Sequence, residues 1–313
     1  MGWVQEFDAP LRGAPAIAGD GTLLVTSGAV LHHLGADGQR MGTFPMGGDG
    51  AGLALLANGT VMVPALGERL LLGPAMSQAL RQVALPARAS SEPVSDGASV
   101  YFGFADGSWR SVDGEGRVRW ASIAFGKPCT APAAITGDTL VAACGEQVRA
   151  LNTADGRHRW VLELGDDLIG GPTAHNGLVY LATADRRVAC YSARDGHEQW
   201  QVTLPAVAVA APTVSPRRGA VVVALADHSL YTVDADSIKR LYTAEAPIHG
   251  ASLLSANGTL LVTAGAVLRG VQANGQERWR LHLPVREAAV GAVAPEGWVL
   301  VTGERSLMRV NPE

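Results

Sequence analysis

Residues 150–160 read Ala150-Leu151-Asn152-Thr153-Ala154-Asp155-Gly156-Arg157-His158-Arg159-Trp160, and residues 190–200 read Cys190-Tyr191-Ser192-Ala193-Arg194-Asp195-Gly196-His197-Glu198-Gln199-Trp200. Both place Asp-Gly, a tight-turn dipeptide, just before a Trp-led stretch. Trp160-Val161-Leu162-Glu163-Leu164 aligns with Trp200-Gln201-Val202-Thr203-Leu204 and with Trp279-Arg280-Leu281-His282-Leu283, which follows Ala273-Asn274-Gly275. A small residue, often followed by Pro, recurs as Ala131-Pro132, Gly171-Pro172 and Ala211-Pro212. Tracking that position along the chain gives 15, 52, 93, 132, 172, 212, 252 and 292, a spacing of 37–41 residues. Self-similarity at that period over a whole chain marks a repeat architecture.

One period holds four short strands. In residues 171–204, Pro172-Thr173-Ala174-His175 meets the Asn176-Gly177 turn and then Leu178-Val179-Tyr180-Leu181-Ala182. Asp185-Arg186 turns into Val188-Ala189-Cys190-Tyr191, and Asp195-Gly196 leads to the strand of Trp200. Strands this short do not stand alone, and four per repeat make a propeller blade. A helical solenoid of similar period fails, because Gly, Pro and Asn-Gly recur where helix interiors would lie. The final repeat, from Ala292 to Glu313, is one strand short. Residues 1–8 supply the match, because Trp3-Val4-Gln5-Glu6-Phe7 parallels Trp160-Val161-Leu162-Glu163-Leu164. The expectation is a single all-β domain over residues 1–313, an eight-bladed β-propeller of four-stranded antiparallel blades. Its N-terminal strand completes the last blade and covers an edge. Seven blades is the alternative, because the second repeat is degenerate and lacks Trp.

The composition agrees. Apolar residues make up 47%, enough for a sizeable core, while Gly is 38 of 313 and charged residues only 17%. Such a chain suits strands and tight turns better than long exposed helices. A net charge of −4 provides no whole-chain footprint for nucleic acid. Residues 250–268 lack charge, but Asn257-Gly258 in their middle reads as a hairpin, not a membrane span. The three cysteines, Cys129, Cys144 and Cys190, form no CxxC pair. Their odd count favours free, mostly buried thiols, with a Cys129–Cys144 bridge as the alternative. With no basic-then-apolar leader after Met1, free thiols favour a cytoplasmic location. The alternative is a periplasmic protein or an outer-membrane lipoprotein with its leader removed.

The segments 150–160 and 190–200 resemble the PQQ-like, or quinoprotein-type, β-propeller repeat. The resemblance covers essentially the whole chain, which in size is most similar to the non-enzymatic BamB-type propellers. It implies that Trp3, Trp120, Trp160, Trp200 and Trp279 dock each blade onto its neighbour. It specifies fold rather than chemistry.

Little in the chain points to catalysis. A quinone site of the dehydrogenase kind needs a cation, and Ca²⁺ takes six to eight oxygens. No Asp-x-Asp-x-Asp cluster or vicinal cysteine pair is present, and Asp166-Asp167 reads as a solvated loop. The eight histidines form no HExxH or other ligand spacing. His175 and His249 fall nearest the expected channel. No Gly-x-Ser-x-Gly occurs, and Gly47–Gly52 lacks the Lys-Ser/Thr of a phosphate loop. Trp109 and Trp298 break the Trp register, which leaves them available to a partner. No cofactor, metal or catalytic residue is expected.

The turns between second and third strands fall on one face of the ring. They carry Glu68, Arg69, Asp106, Glu146, Asp185, Arg186, Arg187, Asp227, His228, Glu304 and Arg305. Inter-blade loops on the same face add Asp49, Lys127, Asp166, Asp167, His249, Arg286 and Glu287. Arginine anchors in a polar ring suit protein interfaces, with Arg186 and Arg187 foremost. The function expected is a monomeric, non-catalytic scaffold that presents this face to another protein, with no nucleic acid or membrane span involved. The alternatives are a quinone- or small-ligand-binding propeller, and a sensor propeller excised from a larger regulatory chain.

Overall fold

The computed structural model describes residues 2–65, 68–75, 80–215, 219–285 and 287–311. Among them, eight four-stranded antiparallel sheets form the blades of a closed propeller. Blade 4 comprises Ala134–Thr136, Thr139–Cys144, Gln147–Asn152 and His158–Glu163, and blade 5 comprises Thr173–His175, Leu178–Ala182, Arg187–Ser192 and Glu198–Thr203. Blades 1, 2, 3, 6 and 7 span 11–45, 54–84, 94–121, 213–243 and 253–282. The degenerate second repeat is thus a complete blade.

Blade 8 closes the ring. Ala289–Val293, Val299–Thr302 and Ser306–Val310 are joined by Trp3–Glu6, which pairs antiparallel with Trp3 opposite Arg309 and Glu6 opposite Ser306. The N-terminal strand therefore hydrogen-bonds an edge that would otherwise be open.

Burial explains the strand patterns. Second strands are nearly continuous apolar runs, such as Leu23–Ser27 and Val221–Ala224, and are buried along their length. They lie between two blades, so both of their faces are covered. Outer strands such as Glu198–Thr203 and Glu277–His282 alternate half-buried with exposed positions, as a one-sided strand must. The core is correspondingly divided into eight clusters, each built by two adjacent blades. Val141, Val148 and Trp160 of blade 4 meet Val179, Leu181 and Tyr191 of blade 5 in one of them. Each buried aliphatic side chain contributes ~1.5–3 kcal/mol, so every blade is held from both sides.

Three tryptophans fix neighbouring blades by a repeated contact. Trp3 Nε1 donates to Ala36 O at 3.0 Å, Trp120 Nε1 to Thr153 O at 2.8 Å and Trp160 Nε1 to Ala193 O at 2.9 Å. Each acceptor lies in the third-to-fourth-strand turn of the next blade. Under each indole lies that turn's glycine, Gly38, Gly156 or Gly196, at φ of 85°, 71° and 74°. A Cβ on Gly156 would sit 2.5 Å from the Trp120 ring. Glycine therefore serves both the left-handed turn and the close ring approach. Trp200 instead stands 6.1 Å from the Tyr180 ring in its own blade, centroid to centroid.

Two expectations are corrected. Cys129 and Cys144 form a disulfide, leaving Cys190 as the free, buried thiol. The bridge joins the loop after blade 3 to the second strand of blade 4, two segments the ring brings together. Trp109 and Trp298 are buried rather than available to a partner. Trp109 sits among Tyr101, Trp120 and Phe125, and Trp298 packs beneath the Arg309 guanidinium, 4.5 Å from its ring centroid. No helix among the described residues is long and apolar enough to cross a membrane.

Candidate functional site

Antiparallel strand order puts second-to-third-strand turns and inter-blade loops on one face, and backbone hydrogen bonds lock them together. In most blades the amide following the outer strand donates to a turn carbonyl. Leu85 N reaches Glu68 O at 2.7 Å, Leu164 N reaches Glu146 O at 3.0 Å and Leu204 N reaches Arg186 O at 2.7 Å. Ala244 N to His228 O and Phe7 N to Arg305 O, each 2.8 Å, repeat the pattern. The expected ring of charge is thus mounted on rigid backbone. Arg286 lies outside the described residues.

The side chains divide into two groups. Arg69, Asp106, Glu146, Asp185, Arg187 and Asp227 are engaged within the protein. Arg69 donates to Gln82 Oε1 at 2.9 Å, and Glu146 pairs with Lys127 at 3.5 Å. Asp227 caps Ser229. Burial works to raise the Asp106 pKa, but hydrogen bonds from Ser108 and the charge of Arg110 outweigh it and hold the group below the usual range. Asp185 is lowered similarly, burial being overcome by Thr183 and Arg187. Arg187 pairs with Asp185 and donates through Nη2 to Leu164 O at 2.7 Å. It therefore braces the loop between blades 4 and 5.

Glu68, Arg186, His228, Glu287, Glu304 and Arg305 make no side-chain hydrogen bond or ion pair among the described residues. Four of them also occupy left-handed backbone: Glu68 at φ 61°, Arg186 at 69°, His228 at 67° and Glu287 at 58°. Equivalent turns elsewhere on this face use Gly28, Gly107, Gly145 and Gly265. A non-glycine residue there costs ~1–2 kcal/mol, and here no side-chain hydrogen bond or ion pair among the described residues offsets it.

Apolar side chains lie among these charges. Ile123 is 72% exposed, Val207 37% and Val209 38%, all on inter-blade loops. The Cys129–Cys144 bridge, with Lys127 and Glu146 beside it, pins the loop that carries Ile123. Sequence reading missed these aliphatics, although their positions directly after outer strands were the available signal. His249 lies on this face, in an inter-blade loop where its amide donates to Thr263 O at 3.0 Å. His175 lies on the opposite face beside Asn176.

Elsewhere the titratable groups serve packing. His32 and His33 are both buried, each with one ring nitrogen lacking a partner, and burial depresses His32. Tyr242, Glu277, Arg280, Arg269 and Glu245 form a hydrogen-bonded and ionic network across blades 6 and 7. Glu92 is exposed, yet its side chain lies against Gly13 and Gly52, and the loss of solvation there raises its carboxyl above the usual range. Among the described residues no group of three or more His, Cys, Asp or Glu could hold a metal ion.

A family model described as outer membrane protein assembly factor BamB matches residues 28–168 and 145–284. BamB from Moraxella catarrhalis superposes with a TM-score of 0.76 at 14% identity, covering 98% of both chains. The computationally designed Ika8 protein gives a TM-score of 0.81 at 13% identity, again over 98% of both. Saccharomyces cerevisiae Sqt1 gives 0.79 at 12% identity, over 99% of this chain and 98% of its own. At such identities these structures share the fold alone. No curated protein matches the sequence.

Proposed function

The chain belongs to the family of the outer membrane protein assembly factor BamB, and on that premise we propose that it is a non-catalytic scaffold. Its loop face docks a protein of outer-membrane protein assembly. The observation that carries this reading is the set of polar residues Glu68, Arg186, His228 and Glu287, without a side-chain hydrogen bond or ion pair among the described residues and held in left-handed backbone. Strain without an internal return collects at functional surfaces. The exposed Ile123, Val207 and Val209 provide apolar contact beside the charges, the mixture that protein interfaces use.

The Cys129–Cys144 bridge favours an oxidising compartment, such as the periplasm, over the cytoplasm, because disulfides persist where thiols are not kept reduced. Alkylating cells before lysis checks this: a protected pair supports the oxidising location, and two labelled thiols argue against it.

Crosslinking from the loop face tests the docking role. Photo-crosslinkers at Glu68 and Arg305 in the intact chain should trap one protein stoichiometrically in native cells, while one at Asn176 on the opposite face should not. Equal trapping from both faces, or from neither, would refute the assignment.

A further inference from the structure

At the ring closure, the indole-and-turn contact repeated elsewhere lacks half of its parts. Trp3, Trp120 and Trp160 are each covered by the next blade's turn, whose carbonyl accepts the indole N–H. The corresponding residue of blade 7 is Trp279. Its neighbour, blade 8, takes its third strand from Ser306–Val310 and its outer strand from Trp3–Glu6. Those strands are not consecutive in sequence, and among the described residues no Asp-Gly turn of blade 8 lies above Trp279. A cavity of about 520 Å³ opens there, walled by Trp279, Trp298, Arg309, Asn257, Glu296 and Asn311. That volume lies within the range of ligand sites.

The walls are those of a recognition site. Trp279 Nε1 has no hydrogen-bond partner among the described residues, and its indole has sunk onto Gly270, where a Cβ would collide with it. Arg309 stacks on Trp298 and donates through Nη1 to Ala36 O at 2.7 Å, while its buried Nε lacks a partner. Glu296 stands exposed at the rim.

We infer that this seam cavity binds a peptide turning through Asp-Gly, inserted from a partner chain. The three occupied contacts define the ligand. In each, a carbonyl accepts the indole N–H, and a glycine at positive φ lies flat on the ring. An Asp precedes that glycine, as Asp37, Asp155 and Asp195 do, its carboxylate capping the turn amide. The same carboxylate complements the Arg309 guanidinium. The cavity is on the face opposite the docking loops, so this inference does not rest on the scaffold reading.

The probe is a capped peptide copying Asn152–Arg157, titrated into the full chain labelled with ¹⁵N. The Trp279 indole N–H resonance should shift downfield and saturate. Trp279→Phe, which keeps the ring contact and removes the donor, should weaken binding about fivefold to tenfold; binding should be lost in Trp279→Ala. A peptide carrying Gly156→Val should not bind. Three results would overturn the inference: no shift at millimolar peptide, equal binding of the Gly156→Val peptide, or binding only after Pro312 and Glu313 are deleted. The last would assign the cavity to residues of this same chain beyond Asn311.

Discussion

On the face built from first-to-second and third-to-fourth-strand turns, positive φ falls mainly on glycines, among them Gly38, Gly156 and Gly196 beneath indole rings. On the loop face it falls also on Glu68, Arg186, His228 and Glu287. Even the non-glycine exception on the first face, Asn176 at φ 49°, is a residue type that tolerates this conformation. One face is therefore chosen for stability, each glycine relieving strain and admitting a neighbour's ring. The other retains Glu68, Arg186, His228 and Glu287, whose side chains make no hydrogen bond or ion pair among the described residues. The proposed docking surface would account for them.

The largest expected effect lies on the glycine face. Gly156→Ala forces a left-handed alanine, ~1–2 kcal/mol, and drives a methyl into the Trp120 ring, ~1–3 kcal/mol. The combined loss of roughly 3.5 kcal/mol should appear as a lower denaturant midpoint. Little change would mean that the ring and turn are not coupled.

On the loop face the disulfide comes next. Cys129 and Cys144 are 15 residues apart, and closing such a loop stabilises by about 3 kcal/mol in the chain-entropy picture. Changing both to Ser should cost about that much and speed amide exchange in the loop after blade 3. If exchange quickened elsewhere instead, the bridge would not be what rigidifies that loop.

Substitutions of the opposite sign follow. Glu68→Gly or His228→Gly should each raise stability by about 1 kcal/mol, by relieving left-handed backbone. Destabilisation by either would reveal an internal role for that side chain and blur the contrast between faces.

The smallest effect belongs to the channel between the faces. The Glu92 carboxyl is raised by partial loss of solvation against its neighbours, so the folded protein holds that proton more tightly than the unfolded chain. Its favourable contribution is complete below the unfolded value, near pH ~4.3, and is lost as pH rises through the raised value. Glu92→Gln should therefore stabilise the protein slightly at neutral pH and not at acid pH. A stabilisation independent of pH would dismiss the titration.

Much of the fold was legible because the repeat is written in local chemistry. Asp155-Gly156 and Asp195-Gly196 specify turns, and Trp160 and Trp200 mark the outer strands. Trp3-Val4-Gln5-Glu6 announced the closure because it copies an outer strand that the last repeat lacks. The placement of turns on one face followed from counting strands. The bridge between Cys129 and Cys144 stayed open because it depends on which loop a neighbouring blade approaches, a contact without local signature. Trp109 misled for a related reason: its strand lies within the blade, where any large side chain is buried between neighbours. Arg187 looked equivalent to Arg186, but Arg187 begins the strand and reaches Asp185 and the Leu164 carbonyl, while Arg186 sits exposed in the left-handed turn before it.

Arg186 separates the two faces most sharply, because one substitution should move stability and binding in opposite directions. Arg186→Gly in the intact chain, assayed by denaturant unfolding and by crosslinked co-purification from native cells, is expected to gain about 1 kcal/mol and to lose most of its captured partner. Undiminished capture of the same partner by Arg186→Gly would contradict a docking role for this face.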